Sequence, residues 1–189
     1  MLYDERFPPD RIASKVKELA EQIAADYPAG ELVLIAVLKG GGFFMADLSR
    51  LMPRPLRLEY IDVIRGGGSS EDEILDFHFV TSFQVKDKNL IILKDVIRSG
   101  IIENYLMNQL REEGPASIRF ACLVDRPQER KSSLVVDYVC FPSEEGILVG
   151  YGMEYQGLGG NFPFIAQVRV RERVEQAPET PTANDTPQG

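Results

Sequence analysis

Apolar residues in this chain follow two rhythms: short continuous runs, and stretches with one apolar position every three or four residues. Ile12, Val16, Leu19, Ala20 and Ile23 recur at helical spacing. Asp10 ahead of them reads as the cap of an amphipathic helix ending near Tyr27-Pro28. Residues 31–38 form a short run, almost wholly apolar, that ends at Lys39-Gly40-Gly41-Gly42, and helical spacing resumes over 43–51. Residues 56–64 alternate weakly and predict a strand. Beyond the Gly-rich acidic stretch 66–73, residues 74–80 read as a returning strand, so the two make a long hairpin arm. Apolar runs at 89–93, 118–124, 134–141 and 147–150 predict further strands, and 101–113 predicts a helix closed by Gly114-Pro115.

Apolar strands alternating with amphipathic helices imply an α/β fold, in which a central, mostly parallel sheet is flanked by helices. Ligands of such sheets bind beyond the carboxyl ends of the strands, which here singles out the loops 39–42, 94–100 and 125–131. A length of 189 residues suits one compact domain, taken as 1–170. From Arg171 onward the chain is polar and rich in Pro and Thr, and 171–189 reads as a disordered tail. No apolar run approaches a membrane span and the N-terminus carries no signal-peptide pattern. Cys122 and Cys140 lie in apolar segments at a spacing that suits neither zinc nor a disulfide framework. They read as small core residues in a reducing, cytoplasmic setting. The net charge of −8 argues against nucleic-acid binding, which needs a basic face. It leaves open a phosphorylated small molecule held by local amides and one or two cations.

Two of the loops carry chemistry of that kind. Lys39-Gly40-Gly41 follows a strand, where glycines let backbone amides turn toward an anion and Lys39 adds a positive charge. A strand-to-helix turn also uses glycine for steric reasons alone, and that plainer reading stands beside the first. The second is Leu90-Ile91-Ile92-Leu93-Lys94-Asp95-Val96-Ile97-Arg98-Ser99-Gly100, opening a helix at Ile101. Free amides and the helix dipole at such a turn favour a phosphate.

This second segment resembles the phosphoribosyl-diphosphate motif of type I phosphoribosyltransferases, in which a strand delivers two acidic residues and then a phosphate loop. Val37-Leu38-Lys39-Gly40-Gly41 resembles that family's pyrophosphate loop, and the arm at 66–73 its flap. Gly114 to Arg119, Val136-Asp137-Tyr138-Val139 and Val149-Gly150-Tyr151-Gly152-Met153-Glu154-Tyr155 resemble later stretches of the hypoxanthine-guanine branch. The match runs in order over about 31–168.

The resemblance implies transfer of a phosphoribosyl group from phosphoribosyl diphosphate to a 6-oxopurine, giving a nucleoside monophosphate, with Mg²⁺ in an active enzyme. It also implies a homodimer or homotetramer. Residue by residue, it assigns phosphate binding to Arg98, Ser99, Gly100 and Ile102, and pyrophosphate binding to Lys39, Gly40 and Gly41. Ribose binding falls to Lys94 and Asp95, base binding to Val135, Ile147 and Leu148, and metal binding to Asp95 and Glu154. Several of these positions depart from the family's pattern. Its acidic pair is Lys94-Asp95 here, its N7-proton aspartate is Arg98, and the last threonine of its phosphate loop is Ile102. Its purine-reading lysine aligns with Val135, its stacking aromatic with Ile147, its metal aspartate with Glu154, and its pyrophosphate arginine with Gly160.

An ammonium at 94 supplies donors where the ribose diol needs an acceptor. Loss of a positioned acid or base costs about 10²–10⁴ in rate. Three readings stay open: a transferase with reduced or altered activity, a catalytically degenerate paralogue that binds a nucleotide or phosphate as a regulator, and a scaffold subunit. Converging Asp95 and Glu154 would favour the first, and a pocket filled by Arg98, Ile102 and Ile147 the last. His78, the lone histidine, reads as an ordinary strand residue, Glu71-Asp72-Glu73 as a solvated loop tip, and Tyr151 and Tyr155 as core and rim residues.

Overall fold

A computed structural model describes residues 2–65, 75–80, 83–142 and 146–169. Its main sheet has six strands in the order β4-β3-β2-β5-β6-β7: β2 Leu32–Val37, β3 Arg57–Arg65, β4 Leu75–Phe79, β5 Asn89–Ile97, β6 Ser117–Asp125 and β7 Tyr138–Pro142. All pairs are parallel except β3 with β4, whose register sets Asp62 opposite His78. That antiparallel pair is the base of the expected hairpin arm; its tip, 66–73, lies outside the described residues, as does the proposed tail.

Alternation along β2 and β5 explains why they are continuously apolar. Leu32, Leu34, Ala36, Ile91 and Leu93 pack against α1 (Pro9–Asp26) and α2 (Gly40–Leu51). Val33, Ile35, Val37, Leu90 and Ile92 pack on the other face, against Leu106 and Leu110 of α3 (Ile101–Glu112). Successive side chains point to opposite faces of a strand, so a strand covered on both sides must be apolar throughout.

Four expectations change in detail. Asp10 is not the cap of α1. Pro8 is, Pro9 takes the first helical position, and Ile12 N donates to Pro8 O at 3.1 Å, so Asp10 sits within the first turn. α2 starts at Gly40, so the glycines belong to its first turn. The strand expected over 134–141 is shorter, beginning at Tyr138. Asp137 closes the ladder instead: its N–H donates to Phe120 O and its Oδ2 accepts from Phe120 N. Residues 148–149 (β8) do not extend the parallel sheet. They join a second, antiparallel sheet of order β1-β9-β8, with β1 Leu2–Phe7 and β9 Ile165–Arg169, neither of which the chain's apolar pattern announces.

Candidate functional site

A cleft of about 720 Å³ opens where the carboxyl ends of β2, β5 and β6 meet the small sheet. All three loops singled out from the sequence reach it: Lys39 and Gly40 from the first, Asp95, Val96 and Arg98 from the second, Arg126 and Glu129 from the third. The segment around β8 closes the opposite wall with Gly146, Ile147, Leu148, Gly152, Met153 and Glu154.

The turn after β2 is held by close approach. A Cβ on Gly152 would lie 2.7 Å from the Cα of Gly40, and one on Gly40 would collide with the Asp95 carboxylate. Gly152 also has φ +90°, a region side chains rarely adopt. Two glycines thus let the β8 segment, the β2 turn and Asp95 converge. The Leu38–Lys39 peptide is cis. Gly41 is buried against β5, where the Leu93 carbonyl occupies the space of its missing Cβ, and does not line the cleft. Lys39 Nζ donates to Glu154 Oε2 at 3.3 Å across the cleft. Asp95 Oδ1 accepts from Val96 N at 2.9 Å.

Lys94 follows Leu93 in the pleat and falls on the α3 face of β5, outside the cleft lining. Its ammonium lies 3.4 Å from Asp95 Oδ1. It also acts on Glu103, a buried carboxyl in the first turn of α3 whose protonation burial favours, with Lys94 and Arg130 opposing.

The phosphate-loop segment is pinned from above by residues 130–132. Arg130 Nη1 donates to Arg98 O, while Lys131 N and Ser132 Oγ donate to Ser99 O. Gly100 is left-handed, φ +70°, and Ile101 N donates to Ser99 Oγ at 3.4 Å. Arg98 Nε donates to Glu129 Oε2 at 2.9 Å, and its side chain reaches the cleft. Ser99, Gly100 and Ile102 do not line it.

Of the expected base-side residues, Ile147 and Leu148 line the cleft and Val135 does not. Val135 is 73% exposed, in the segment leading to β7. The cleft wall beside Ile147 and Leu148 also holds a cation, Arg126, which the sequence reading passed over although it lies in a loop singled out for its position. It is 2% exposed, Nη2 donates to Gly146 O at 2.6 Å and Nη1 to Glu129 Oε1 at 3.2 Å, while Nε is buried with no hydrogen-bond partner among the described residues. The two guanidiniums, Arg98 first, hold the Glu129 carboxyl below the usual range. A sequence signal for Arg126 existed: a cation directly after a buried strand and directly before Pro127.

The cleft is open, not filled by Arg98, Ile102 and Ile147. Among the described residues no three His, Cys, Asp or Glu side chains gather as a metal site, and no helix is long and apolar enough to cross a membrane. Cys122 and Cys140 are buried free thiols; burial pushes Cys140 up to about 12. Tyr151 is buried with its hydroxyl donating to Asp47, and Tyr155 is half-buried.

A phosphoribosyl transferase domain matches residues 8–156, spanning the main sheet and this cleft. The chain belongs to the type I phosphoribosyltransferase family, in its hypoxanthine-guanine branch. It is 32% identical over 162 residues to the hypoxanthine-guanine phosphoribosyltransferase of Bacillus subtilis, covering 85% of this chain and 89% of the relative. A crystal structure of the Bacillus anthracis hypoxanthine-guanine phosphoribosyltransferase with HEPES in its active site superimposes with a TM-score of 0.83 at 32% identity. It covers 89% of this chain and all (100%) of the other. A Trypanosoma cruzi hypoxanthine phosphoribosyl transferase gives a TM-score of 0.81 at 28% identity, over 88% and 91% of the two chains.

Proposed function

We propose that this protein transfers the phosphoribosyl group of phosphoribosyl diphosphate to hypoxanthine or guanine, releasing pyrophosphate, and does so more slowly than relatives with an acidic pair at 94–95 and an aspartate at 98. The observation that carries the reading is the convergence of Lys39, Asp95, Arg98, Arg126 and Glu154 on one cleft at the carboxyl ends of the strands. Lys39 faces the pyrophosphate side. Of residues 98–102 only Arg98 lines the cleft, and its guanidinium is the donor that segment offers a phosphate. Ile147 and Leu148 supply an apolar edge for the base, and Arg126 a donor for its 6-oxo group.

The Asp95 carboxylate lies against Gly40 and Glu154 pairs with the Lys39 ammonium, and both are hard oxygen donors on the cleft wall. They fit a Mg²⁺ held by one or two carboxylates together with substrate phosphates. That ion would neutralise charge developing on the leaving pyrophosphate. This chain's own part is to hold the diphosphate beside Lys39 and to keep the base against Ile147 and Arg126. The reduced rate follows from position 98, where a guanidinium tied to Glu129 cannot accept the proton that leaves the purine. Homodimeric or homotetrameric assembly and a cytoplasmic location are part of the same proposal.

A second reading is a nucleotide-binding paralogue without turnover, and the Arg98–Glu129 pair is the feature that favours it. Titration calorimetry with phosphoribosyl diphosphate and Mg²⁺, GMP and IMP, run beside a product assay with hypoxanthine and guanine, separates the two. Turnover supports the transferase. Binding without turnover overturns it in favour of the second reading, and silence in both leaves a scaffold or a different ligand.

A further inference from the structure

Three residues at successive four-residue steps along α2 meet the loop that carries Glu154. Lys39, the N-cap of α2, pairs with Glu154. Phe43 lies over the space where Gly152 lacks a Cβ, and its ring centroid is 6.4 Å from that of Tyr151. Asp47 accepts the Tyr151 hydroxyl on Oδ2 and the Arg50 guanidinium on Oδ1. Residues four apart share one helix face, so residues 151–154 are fastened along a single seam of α2.

The loop holds a strained run at this seam. Gly150 and Met153 exchange two backbone hydrogen bonds of 3.0 Å, which makes Tyr151 and Gly152 the central residues of a two-residue turn. Both have positive φ, +51° and +90°. Such turns favour Asn, Asp or Gly at the first central position, and a bulky residue persists there only where its surroundings over-determine it. Tyr151 is held by its own N–H on Phe162 O at 2.9 Å and by its buried hydroxyl on Asp47. Neither Asp47 nor Tyr151 lines the cleft, and Asp47 lies about 12 Å along the helix from Lys39.

We propose that the Asp47–Tyr151 hydrogen bond is a remote anchor that fixes where Glu154 stands against Lys39, and so governs the affinity of the cleft for a magnesium-bound diphosphate. The inference rests on the reading that Lys39, Asp95 and Glu154 form the pyrophosphate side. α2 begins at the glycine turn itself, so one rigid helix carries both that turn and the carboxylate that anchors the opposite wall. Without the bond the strained turn relaxes, and Glu154 moves with it. Asp47 and Tyr151 are positioning residues: they act through Glu154 and touch no ligand. The wall at Ile147 and Leu148 is held separately, by Val168 N on Ile147 O at 2.8 Å and by the pairing of Leu148 with Gln167. Loss of the anchor therefore acts on one half of the cleft.

The test is titration calorimetry on the full chain with inorganic pyrophosphate plus Mg²⁺ and, separately, with GMP, and thermal melts on every variant. Tyr151→Phe keeps the ring and removes the hydroxyl. Asp47→Ala removes the acceptor, and Asp47→Asn keeps one acceptor oxygen. Tyr151→Phe and Asp47→Ala are expected to weaken pyrophosphate with Mg²⁺ roughly tenfold to a hundredfold, the scale of a small displacement from a remote site. GMP should stay within about threefold of wild type in both, and Asp47→Asn should hold pyrophosphate within the same margin. A bond with only a structural role would lower the melting temperature and weaken both ligands in step, which overturns the anchor. Unchanged pyrophosphate affinity in Tyr151→Phe overturns it too, as does an equal loss in Asp47→Asn and Asp47→Ala. Wild type that binds GMP but not pyrophosphate with Mg²⁺ overturns the pyrophosphate reading and the anchor with it.

Discussion

Lys39 Nζ lies 3.3 Å from Glu154 Oε2, which joins the turn after β2 to a loop 115 residues later. The lysine side chain is 76% exposed. Exposed ion pairs contribute roughly 0–1 kcal/mol, so the pair does little for the fold and leaves both groups available to a ligand. Lys39→Ala is expected to keep the melting temperature nearly unchanged and to weaken phosphoribosyl diphosphate about tenfold, the loss of one charge-assisted contact. Calorimetry reads the second effect. An unaltered affinity would remove Lys39 from the pyrophosphate side.

Gly152 faces the opposite expectation. A Cβ there meets the Gly40 backbone at 2.7 Å, and φ is +90°. Gly152→Ala should cost about 1–3 kcal/mol in chemical denaturation from the backbone conformation alone. It should weaken every cleft ligand together, since Gly40, Asp95 and Lys39 would all shift. A variant with wild-type stability and binding would show that the β8 loop is free to move away.

Glu103 gives a pH signature. Burial raises its folded-state pKa, so the protonated carboxyl is the favoured form. Its stabilising contribution is complete below the unfolded carboxyl pKa of about 4.3 and is lost as pH rises through the raised folded value. Glu103→Gln should therefore melt above wild type at pH 7, with the gap closing near pH 4. A constant gap across that window would mean that the backbone hydrogen bond to the carboxylate, with Lys94 and Arg130, fully offsets the burial.

Position 98 can be tested by exchange. Arg98→Asp alone would set two carboxylates together, because Glu129 is the present partner. Arg98→Asp with Glu129→Arg keeps the pair and restores an acceptor at 98. If this position limits the rate, kcat for hypoxanthine should rise by about 10²–10⁴, the usual contribution of one positioned acid or base. No gain would place the limitation elsewhere, with Lys94 the next candidate.

Val135 and Arg126 separate the alignment from the geometry. Val135→Asp, on a side chain 73% exposed, should change neither stability nor ligand affinity. Arg126→Ala should cost about 1–3 kcal/mol, because Gly146 O and Glu129 Oε1 lose their donor, and should weaken purine ligands as well. A purine effect from Val135→Asp without one from Arg126→Ala would reverse the two assignments.

The layered α/β sheet was legible because burial on both faces leaves a one-dimensional trace. Every residue of β2, Leu32–Val37, is apolar, and no alternation needs to be resolved. The phosphate-loop segment was legible for a similar reason, since strand, turn residues and helix start are contiguous from Leu90 to Ile101. β1 was not legible. Its sequence, LYDERF, is half charged, and it becomes a strand only through pairing with β9 some 160 residues away. Propensity carries little information where the partner is so distant.

The sequence by itself determined the layer order, the helix and strand identities of the main sheet, the family, and which loops would gather at one end. Those depend on local periodicity and on contiguous motifs. Only the tertiary structure decided which side chains face the cleft. It turned Lys94 to the α3 side, left Val135 in solvent, buried Arg126, and tied Arg98 to Glu129, 31 residues away. Side-chain direction at a strand end depends on pleat, twist and the nearest opposite charge, and the last of these is fixed only when separate loops meet in space.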